Sequence, residues 1–319
     1  MSQPHQPTNE PPKSRNRLLL SGLLLAALLV GGAGGVAVSS LTDGTDTQGQ
    51  ASSASEPSAP PSDNTTADPT PPGPDVADLE FPDETTTGVP EGVELTETGS
   101  LTVTEDGATV DAMLIRGNVK VEADGVTITN SKIVNDSIYA IQLEPENKNL
   151  VVEDTEIDGG GVAHVAVTHG EYTLRRVNIH NAIDGPRIEG DNVLIEDSFI
   201  HSLSRIEDGH HDTIQIRKGV GITIRGNNLQ AYHAESDDPM NAAIQIGSLI
   251  GPLKDLRVEG NLMNGGNYTI NASKTDPDHP SVYTNNVFGR DFRYGILSSG
   301  PNVQFDESNV WQDTGEPAT

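Results

Sequence analysis

The stretch VLIEDSFI at residues 193–200 indicates the fold, because its pattern is repeated along the chain. The pattern has apolar residues at positions one, three and eight, and small or polar residues, often Asn, at positions five and six. Eight copies begin 21 to 34 residues apart. They are VTITNSKI at 126–133, LVVEDTEI at 150–157, YTLRRVNI at 172–179, VLIEDSFI at 193–200, ITIRGNNL at 222–229, LRVEGNLM at 256–263, SVYTNNVF at 281–288 and VQFDESNV at 303–310.

Each copy predicts a strand with one buried face, followed by a turn. No copy can bury its apolar face alone, so the copies must stack as the coils of a solenoid. Another short apolar strand follows many copies: IQL at 141–143, VAV at 165–167, and IQI at 214–216 and 244–246. The sequence therefore predicts an all-β domain, a parallel β-helix over residues 99–319. We expect residues 99–120 to cover its N-terminal end, and Asn227, Asn261 and Asn286 to form an internal turn ladder.

Residues 18–42 carry no charge and follow Lys13, Arg15 and Arg17. About 20 apolar residues span a bilayer, and the preceding cations favour the cytoplasmic side. This predicts a cytoplasmic tail at 1–17, a single transmembrane helix at 18–42, and an extracellular domain held at the cell membrane. The alternative is a secreted protein whose signal peptide is cleaved near Ala37-Val38-Ser39.

Residues 43–98 are rich in Pro, Ser, Thr and acidic residues and contain no basic residue. Such a composition predicts a disordered, self-repelling linker. The whole chain has 47 acidic and 19 basic residues, a formal charge of −28. This charge would repel phosphate backbones, so nucleic-acid binding is disfavoured and we expect no nucleic acid as a partner. There is no cysteine, which excludes disulfides and thiolate metal sites.

Together with the eight copies, the stretch HDTIQI at 211–216, followed by GITIRGN at 221–227, resembles bacterial right-handed β-helix repeat proteins of the pectate-lyase-like superfamily. The resemblance covers roughly residues 100 to 312. It implies a right-handed coil and a substrate lying across the outward surface of one sheet. It does not fix an activity, because one fold hosts many functions.

The second strands predict an outward column of side chains on successive coils, about 4.8 Å apart. The column contains Gln142, Ala166, Arg187, Gln215, Gln245 and Thr269. Asp184 and Asp212 lie three residues before Arg187 and Gln215, so we expect the two carboxylates to be adjacent, with His211 beside them. The competing interpretation is structural: Asp184-Gly185-Pro186 forms a turn, and His211-Asp212 satisfies backbone groups at a strand start.

This cluster contains the groups that β-elimination at a uronate needs: a base for a weakly acidic proton and a cation for the developing negative charge. We predict catalytic roles for Arg187, His211, Arg217 and Lys218, and substrate binding by His164, Gln215 and Gln245. Asp184 and Asp212 are candidate Ca²⁺ ligands, because Ca²⁺ favours clustered oxygen atoms.

The sequence thus predicts a cell-surface, polysaccharide-active protein with an extracellular polysaccharide as its partner, lyase-like on an acidic substrate. The alternative is a non-catalytic module that binds a glycan or protein, or acts as a spacer. An enzyme needs a groove, which we expect to be walled by the insertions at 231–241 and 274–280, whereas a spacer presents a flat face.

Overall fold

The repeated copies stack in register, each directly over the equivalent residues of its neighbours. In a computed structural model, which describes residues 76–206, 209–247, 249–272, 278–298, 300 and 302–318, every strand pairing between coils is parallel. Val152 pairs with Ile128 on one side and Leu174 on the other. The predicted all-β parallel solenoid is therefore confirmed. The predicted tail at 1–17, transmembrane helix at 18–42 and linker up to 75 lie outside the described residues.

Twenty-seven strands follow one another in the described chain. They are β1 (Thr96–Thr98), β2 (Leu101–Val103), β3 (Thr109–Asp111), β4 (Met113–Arg116), β5 (Val119–Val121), β6 (Thr127–Thr129), β7 (Lys132–Val134), β8 (Tyr139–Leu143), β9 (Leu150–Glu153), β10 (Glu156–Asp158), β11 (Val165–His169), β12 (Tyr172–Arg175), β13 (Asn178–His180), β14 (Arg187–Glu189), β15 (Val193–Glu196), β16 (Phe199–Ile200), β17 (Asp212–Arg225), β18 (Asn228–Ala231), β19 (Ala242–Ile246), β20 (Leu253–Glu259), β21 (Leu262–Gly265), β22 (Tyr268–Ala272), β23 (Ser281–Thr284), β24 (Val287–Phe288), β25 (Gly295–Leu297), β26 (Val303–Phe305) and β27 (Val310–Trp311). A short 3₁₀ turn, Val76–Asp78, precedes them, and no helix within the described ranges is long and apolar enough to cross a bilayer.

Three faces surround an aliphatic interior. The first face contains β2, β5, β8, β11, β14, the start of β17, β19, β22 and β25, and the second contains β3, β6, β9, β12, β15, the end of β17, β20, β23 and β26. The third is a ten-stranded sheet of β1, β4, β7, β10, β13, β16, β18, β21, β24 and β27. Third-position residues of the repeat, such as Ile128, Ile195 and Val258, have no exposed surface. Each contributes about 1.5–3 kcal/mol by burial.

Polar ladders inside the turns add hydrogen bonds between coils. Asn227 Nδ2 donates to Asn261 Oδ1 at 2.9 Å, and Asn261 Nδ2 donates to Asn286 Oδ1 at 3.0 Å. The expected Asn ladder is confirmed, and it extends to Asn309, whose Oδ1 accepts from Asn286 at 2.9 Å. Asn309 takes this place because the last copy contains one extra residue, so that Phe288 pairs with Trp311 and not with Val310.

The N-terminal end differs from the expectation. Residues 101–116 form a complete coil, β2 to β4, and do not merely cover the end. Val110 pairs with Ile128, and Ile115 with Ile133, so this stretch is a ninth copy of the pattern. The copy is hard to recognise because Ala108 stands at its first position, where other copies mostly have a larger apolar residue.

Residues 76–95, which we term the strap, run along the outside of the third face. Val76 lies against Gly315 in the last coil, Pro82 accepts a hydrogen bond from Asn228 at 2.8 Å, and the Gly88 amide donates to the Arg176 carbonyl at 2.9 Å. The strap therefore crosses from the last coil towards the first. The strap belongs to the predicted linker at 43–98, and these described residues make specific contacts with the solenoid.

Candidate functional site

The outward column on the first face is present, but two of its predicted members, Ala166 and Thr269, do not belong to it. Arg187 pairs with Gln215, Gln215 with Gln245, and Gln245 with Asn271. The residue opposite Arg187 on the preceding coil is Thr168. Ala166 and Thr269, predicted for this column, lie two residues earlier and are fully buried. A slip of two residues keeps the alternation of inward and outward side chains, so the apolar pattern alone cannot detect it.

Asp184 and Asp212 lie together beneath this column, as predicted. Asp184 Oδ1 accepts the backbone N–H of Asp212 at 3.2 Å, and the residues are 4% and 0% exposed. Gly185, between Asp184 and the strand that follows, has no room for a side chain, because a Cβ there would lie 2.1 Å from the Thr213 carbonyl oxygen. This close backbone approach brings the two carboxylates onto adjacent coils.

Burial controls the electrostatics of the pair, because it disfavours the charged form of a carboxyl group. It raises the pKa of Asp184, although the guanidinium of Arg187 acts in the opposite direction. Burial, followed by the neighbouring Asp184 carboxylate, raises the pKa of Asp212 to about 8. The shift favours the protonated form of Asp212 and lowers the negative charge of the pair near neutral pH.

Arg187 connects the buried pair to the surface. Its Nη2 donates to Asp184 Oδ2 at 2.9 Å and its Nε donates to Gln215 Oε1 at 2.7 Å. The Arg187 side chain is nevertheless 26% exposed. No hydrogen bond of Nη1 is found within the described part of the chain, so this guanidinium is fixed in direction and still able to bind a ligand from solvent.

Asn241 is a member of the site that the sequence analysis missed. Its Nδ2 donates to Asp212 Oδ1 at 2.6 Å and to Gln245 Oε1 at 3.1 Å. Gln215 Nε2 donates to Asp212 Oδ2 at 3.3 Å. The signal in the sequence was the position of Asn241 directly before the strand AAIQI at 242–246, which corresponds to that of His211 before DTIQI at 212–216.

His211 lies under the surface, beside the carboxylate pair. It is 1% exposed, its Nε2 accepts from Arg205 Nη1 at 3.0 Å, and its Nδ1 lies 3.4 Å from the Ile183 carbonyl oxygen. We assign the proton to Nδ1, because only that tautomer satisfies both contacts. A histidine in this position can orient its neighbours but cannot reach a polymer in solvent, so its predicted catalytic role would be indirect.

Arg205 also contacts Asp238 at 2.5 Å and lines a groove of about 670 Å³ beside the site. Residues 232–235 of the insertion at 231–241 form one wall, as expected. The described part of the insertion at 274–280 does not line this groove. That part, residues 278–280, lines a separate cavity on the second face. The reason is topological: the first insertion links the third face to the first, and the second links the first face to the second.

Arg217 and Lys218 belong to a different cluster at the far end of the same strands. Arg217 Nη1 pairs with Glu189 Oε1 at 2.6 Å, and Lys218 lines a cavity of about 500 Å³ with His169 and Glu189. His164, on the preceding coil, is exposed, and its backbone carbonyl accepts from the Asp184 N–H at 3.2 Å. The predicted site thus separates into an inner cluster around Arg187, an outer cluster around Glu189, and His164 at the edge.

The arrangement does not favour the predicted Ca²⁺ site. Each of the four carboxylate oxygens of Asp184 and Asp212 already accepts a hydrogen bond. Arg187 already supplies a positive charge beside Asp184. In the described ranges, no three or more His, Asp or Glu side chains come together as a possible metal site. We therefore derive no chemical step through a metal ion.

Comparisons with known proteins found no match for this chain. No protein-family model matches the chain, and neither the curated proteins nor the solved structures contain a significant match. Function must therefore be inferred from the site alone.

Proposed function

We propose that the protein binds an acidic polysaccharide outside the cytoplasm, along the outward surface of the first face. We also propose that the coil is right-handed and pectate-lyase-like, as the resemblance in sequence implies and as nearly all crossovers between parallel strands are right-handed. The observation that carries the binding proposal is Arg187, which is held at Nε and Nη2 yet accessible to solvent.

A guanidinium that is held in one orientation and remains accessible can bind a carboxylate. Arginine presents planar, directed donors, and fixing it beforehand lowers the entropy lost on binding. Asp184 and Gln215 provide that fixation, and burial, which favours the protonated form of Asp212, limits the negative charge beside Arg187. A uronate carboxylate on a polymer is the ligand that this geometry supports.

The neighbours of Arg187 in the column suit the hydroxyl groups of the same polymer. Gln215, Gln245 and Asn271 repeat along successive coils, about 4.8 Å apart. Amide side chains both donate and accept hydrogen bonds, and sugar hydroxyls do the same. A row of such groups favours an extended chain over a small molecule.

Isothermal titration calorimetry of the full-length chain in mild detergent tests this function. Polygalacturonate and alginate serve as acidic probes, and carboxyl-reduced polygalacturonate serves as the neutral control. We expect heat of binding with at least one acidic polymer and weaker binding after carboxyl reduction. Equal affinity for the charged and the reduced polymer would exclude recognition of the carboxylate.

The second candidate function is cleavage of the bound polymer by β-elimination. In this reaction a base removes the proton next to the carboxylate, the C–H electrons form a carbon–carbon double bond, and the bond to the leaving glycosidic oxygen breaks as that oxygen gains a proton. Lys218 favours this candidate, because it lines an open cavity at the end of the same strands. Arg217, in the same outer cluster as Lys218, would then neutralise the uronate carboxylate.

Ultraviolet absorbance of unsaturated uronates distinguishes the two candidates. The polymers that bind are incubated with the full-length chain, with Ca²⁺ added or chelated. Rising absorbance that is lost in Lys218→Ala supports elimination. A polymer that binds without any rise, in both ionic conditions, leaves the protein as a binding module.

Placement outside the cytoplasm rests on residues 18–42 and the cations before them. Brief protease treatment of intact cells tests this proposal. We expect the β-helix to be released from the cell surface as a soluble fragment. Full protection of the chain, with cleavage only after lysis, would contradict it, whereas release into the medium without protease would support the cleaved-signal alternative.

A further inference from the structure

Two tyrosines lie on the first face, beyond the carboxylate pair. Tyr268 begins β22, in the same column of strand starts as Asp212: Asp212 pairs with Ala242, and the register from β19 to β22 places Tyr268 on the next coil. Tyr268 in turn pairs with Gly295, directly after Tyr294. Tyr268 therefore lies in the same column as Asp184 and Asp212, and Tyr294 lies on the next coil, one residue before that column.

The rings form a tilted pair at the surface. Their centroids are 5.6 Å apart and their planes meet at 45°. Tyr294 is 65% exposed, the largest fraction among the large apolar residues that the structure shows as exposed. Aromatic pairs of this geometry attract each other, so Tyr268 stabilises the position of a ring that solvent leaves largely uncovered.

Hydrogen bonds connect this aromatic pair to the inner cluster. The Tyr294 N–H donates to the Asn267 carbonyl at 2.8 Å, and Arg293 Nη1 donates to Asn267 Oδ1 at 2.5 Å. The Asn267 N–H donates to the Asn241 carbonyl at 2.8 Å, and Asn241 bonds Asp212. The backbone before Tyr294 is thus anchored to the same network that positions Arg187.

We infer that Tyr268 and Tyr294 form an aromatic subsite on which a sugar ring of the polysaccharide stacks. A tyrosine combines a flat apolar surface with a polar tip, and so do the faces and edges of a pyranose ring. Three strand steps separate Arg187 from Tyr268, and four separate it from Tyr294, which is about 14 to 19 Å along the solenoid axis. Tyr268 also lies three residues before Asn271, which continues the column of Arg187. A single sugar cannot reach both groups, so the ligand is an oligosaccharide that runs along the solenoid axis.

The inference rests on the proposed function, and its test separates the two. The full-length chain in detergent is titrated with polygalacturonate, alginate and carboxyl-reduced polygalacturonate. The variants are Tyr294→Ala, Tyr294→Trp and Arg187→Ala. Tyr139→Ala is the matched control, because Tyr139 begins β8 in the same column at the opposite end of the face.

We expect Tyr294→Ala to weaken binding of the charged and the reduced polymer alike, by about tenfold. Tyr294→Trp should retain binding, Tyr139→Ala should behave as wild type, and Arg187→Ala should affect only the charged polymer. If Arg187→Ala weakens binding while Tyr294→Ala does not, the subsite is overturned and the proposed function stands. If the wild type binds none of the polymers, the aromatic subsite and the proposed function are both contradicted.

A second copy of this chain is the competing occupant of the aromatic pair. Sedimentation velocity of wild type and Tyr294→Ala, without polymer, addresses it. Identical monomeric profiles support the sugar subsite. A wild-type dimer that dissociates in the Ala variant would overturn it.

Discussion

Replacing Asp212 by Asn should remove the loss of stability that ionisation of Asp212 causes as pH rises from 5 to 7. Asp212 is fully buried, and its pKa is raised to about 8, mainly by burial and then by Asp184. In the unfolded chain the same group titrates near its usual value, about 4. Asn keeps the size and the neutral charge of the protonated acid.

The direction of this pH dependence follows from proton binding to Asp212 in the native and unfolded states. Between these two pKa values the native state holds a proton on Asp212 that the unfolded state has released. Stability from this group is therefore fully present below about pH 4 and is lost as pH rises towards 8. The slope is about 1.4 kcal/mol per pH unit, so the wild type should lose about 2 to 3 kcal/mol between pH 5 and 7 relative to Asp212→Asn.

Urea denaturation followed by far-ultraviolet circular dichroism at pH 5, 6 and 7 measures this difference. The comparison of the two proteins cancels titrations that they share. Parallel pH profiles would show that Asp212 is not protonated in the native state. A wild type that gains stability over the variant as pH rises would show an ionised Asp212, stabilised by Asn241 and Arg187. That result would contradict a raised pKa of Asp212.

Three further predictions concern the fold around the site. Asn261→Ala should destabilise the solenoid by about 1 to 3 kcal/mol, because the buried N–H of Asn227 loses its acceptor; thermal denaturation checks this, and an unchanged midpoint would contradict it. Gly185→Ala should give little folded protein, since its Cβ would lie 2.1 Å from a carbonyl oxygen of the next coil; soluble yield and circular dichroism measure the effect, and a native spectrum would be the contrary result. Asn228→Ala should remove the 2.8 Å bond to Pro82 and loosen the strap by about 1 kcal/mol; limited proteolysis should then cut the strap faster, whereas an unchanged rate would show that this bond does not hold it.

The apolar repeat determines the stacking of the coils, and the sequence shows it directly. Positions one and three of each copy stack on the same positions of the next copy, as in Val193 on Ile222 and Ile195 on Ile224. The Asn ladder was predictable for the same reason. Both features repeat at one position per coil, and a solenoid joins equivalent positions.

Register on the first face was less predictable. The strand VAV at 165–167 pairs two residues away from the alignment that its apolar pattern indicated. A shift by two keeps the same side chains inside, so burial cannot decide between the alignments. The predicted adjacency of Asp184 and Asp212 is correct, because Arg187 pairs with Gln215 as expected and each Asp lies three residues earlier.

Tertiary contacts account for what the sequence did not show. Asn241 and Tyr294 lie in turns between faces; the position of Asn241 matches that of His211, but the residue type differs, and Tyr294 matches no repeated position. The strap has the composition of a disordered linker, yet Asn228 and Arg176 bind its backbone. The separation of Arg217 from Arg187 follows from the partner of Arg217, Glu189, which sequence alone could not assign.

Polysaccharide binding by Arg187→Ala and Arg225→Ala tests most directly whether the binding site lies on the first face. Both substitutions remove a partly exposed guanidinium that pairs with a buried carboxylate, Asp184 on the first face and Glu196 on the second. Titration calorimetry with the acidic polymer should show affinity reduced about tenfold or more in Arg187→Ala and unchanged in Arg225→Ala. Equal loss in both variants, or loss only in Arg225→Ala, would contradict a binding site on the first face.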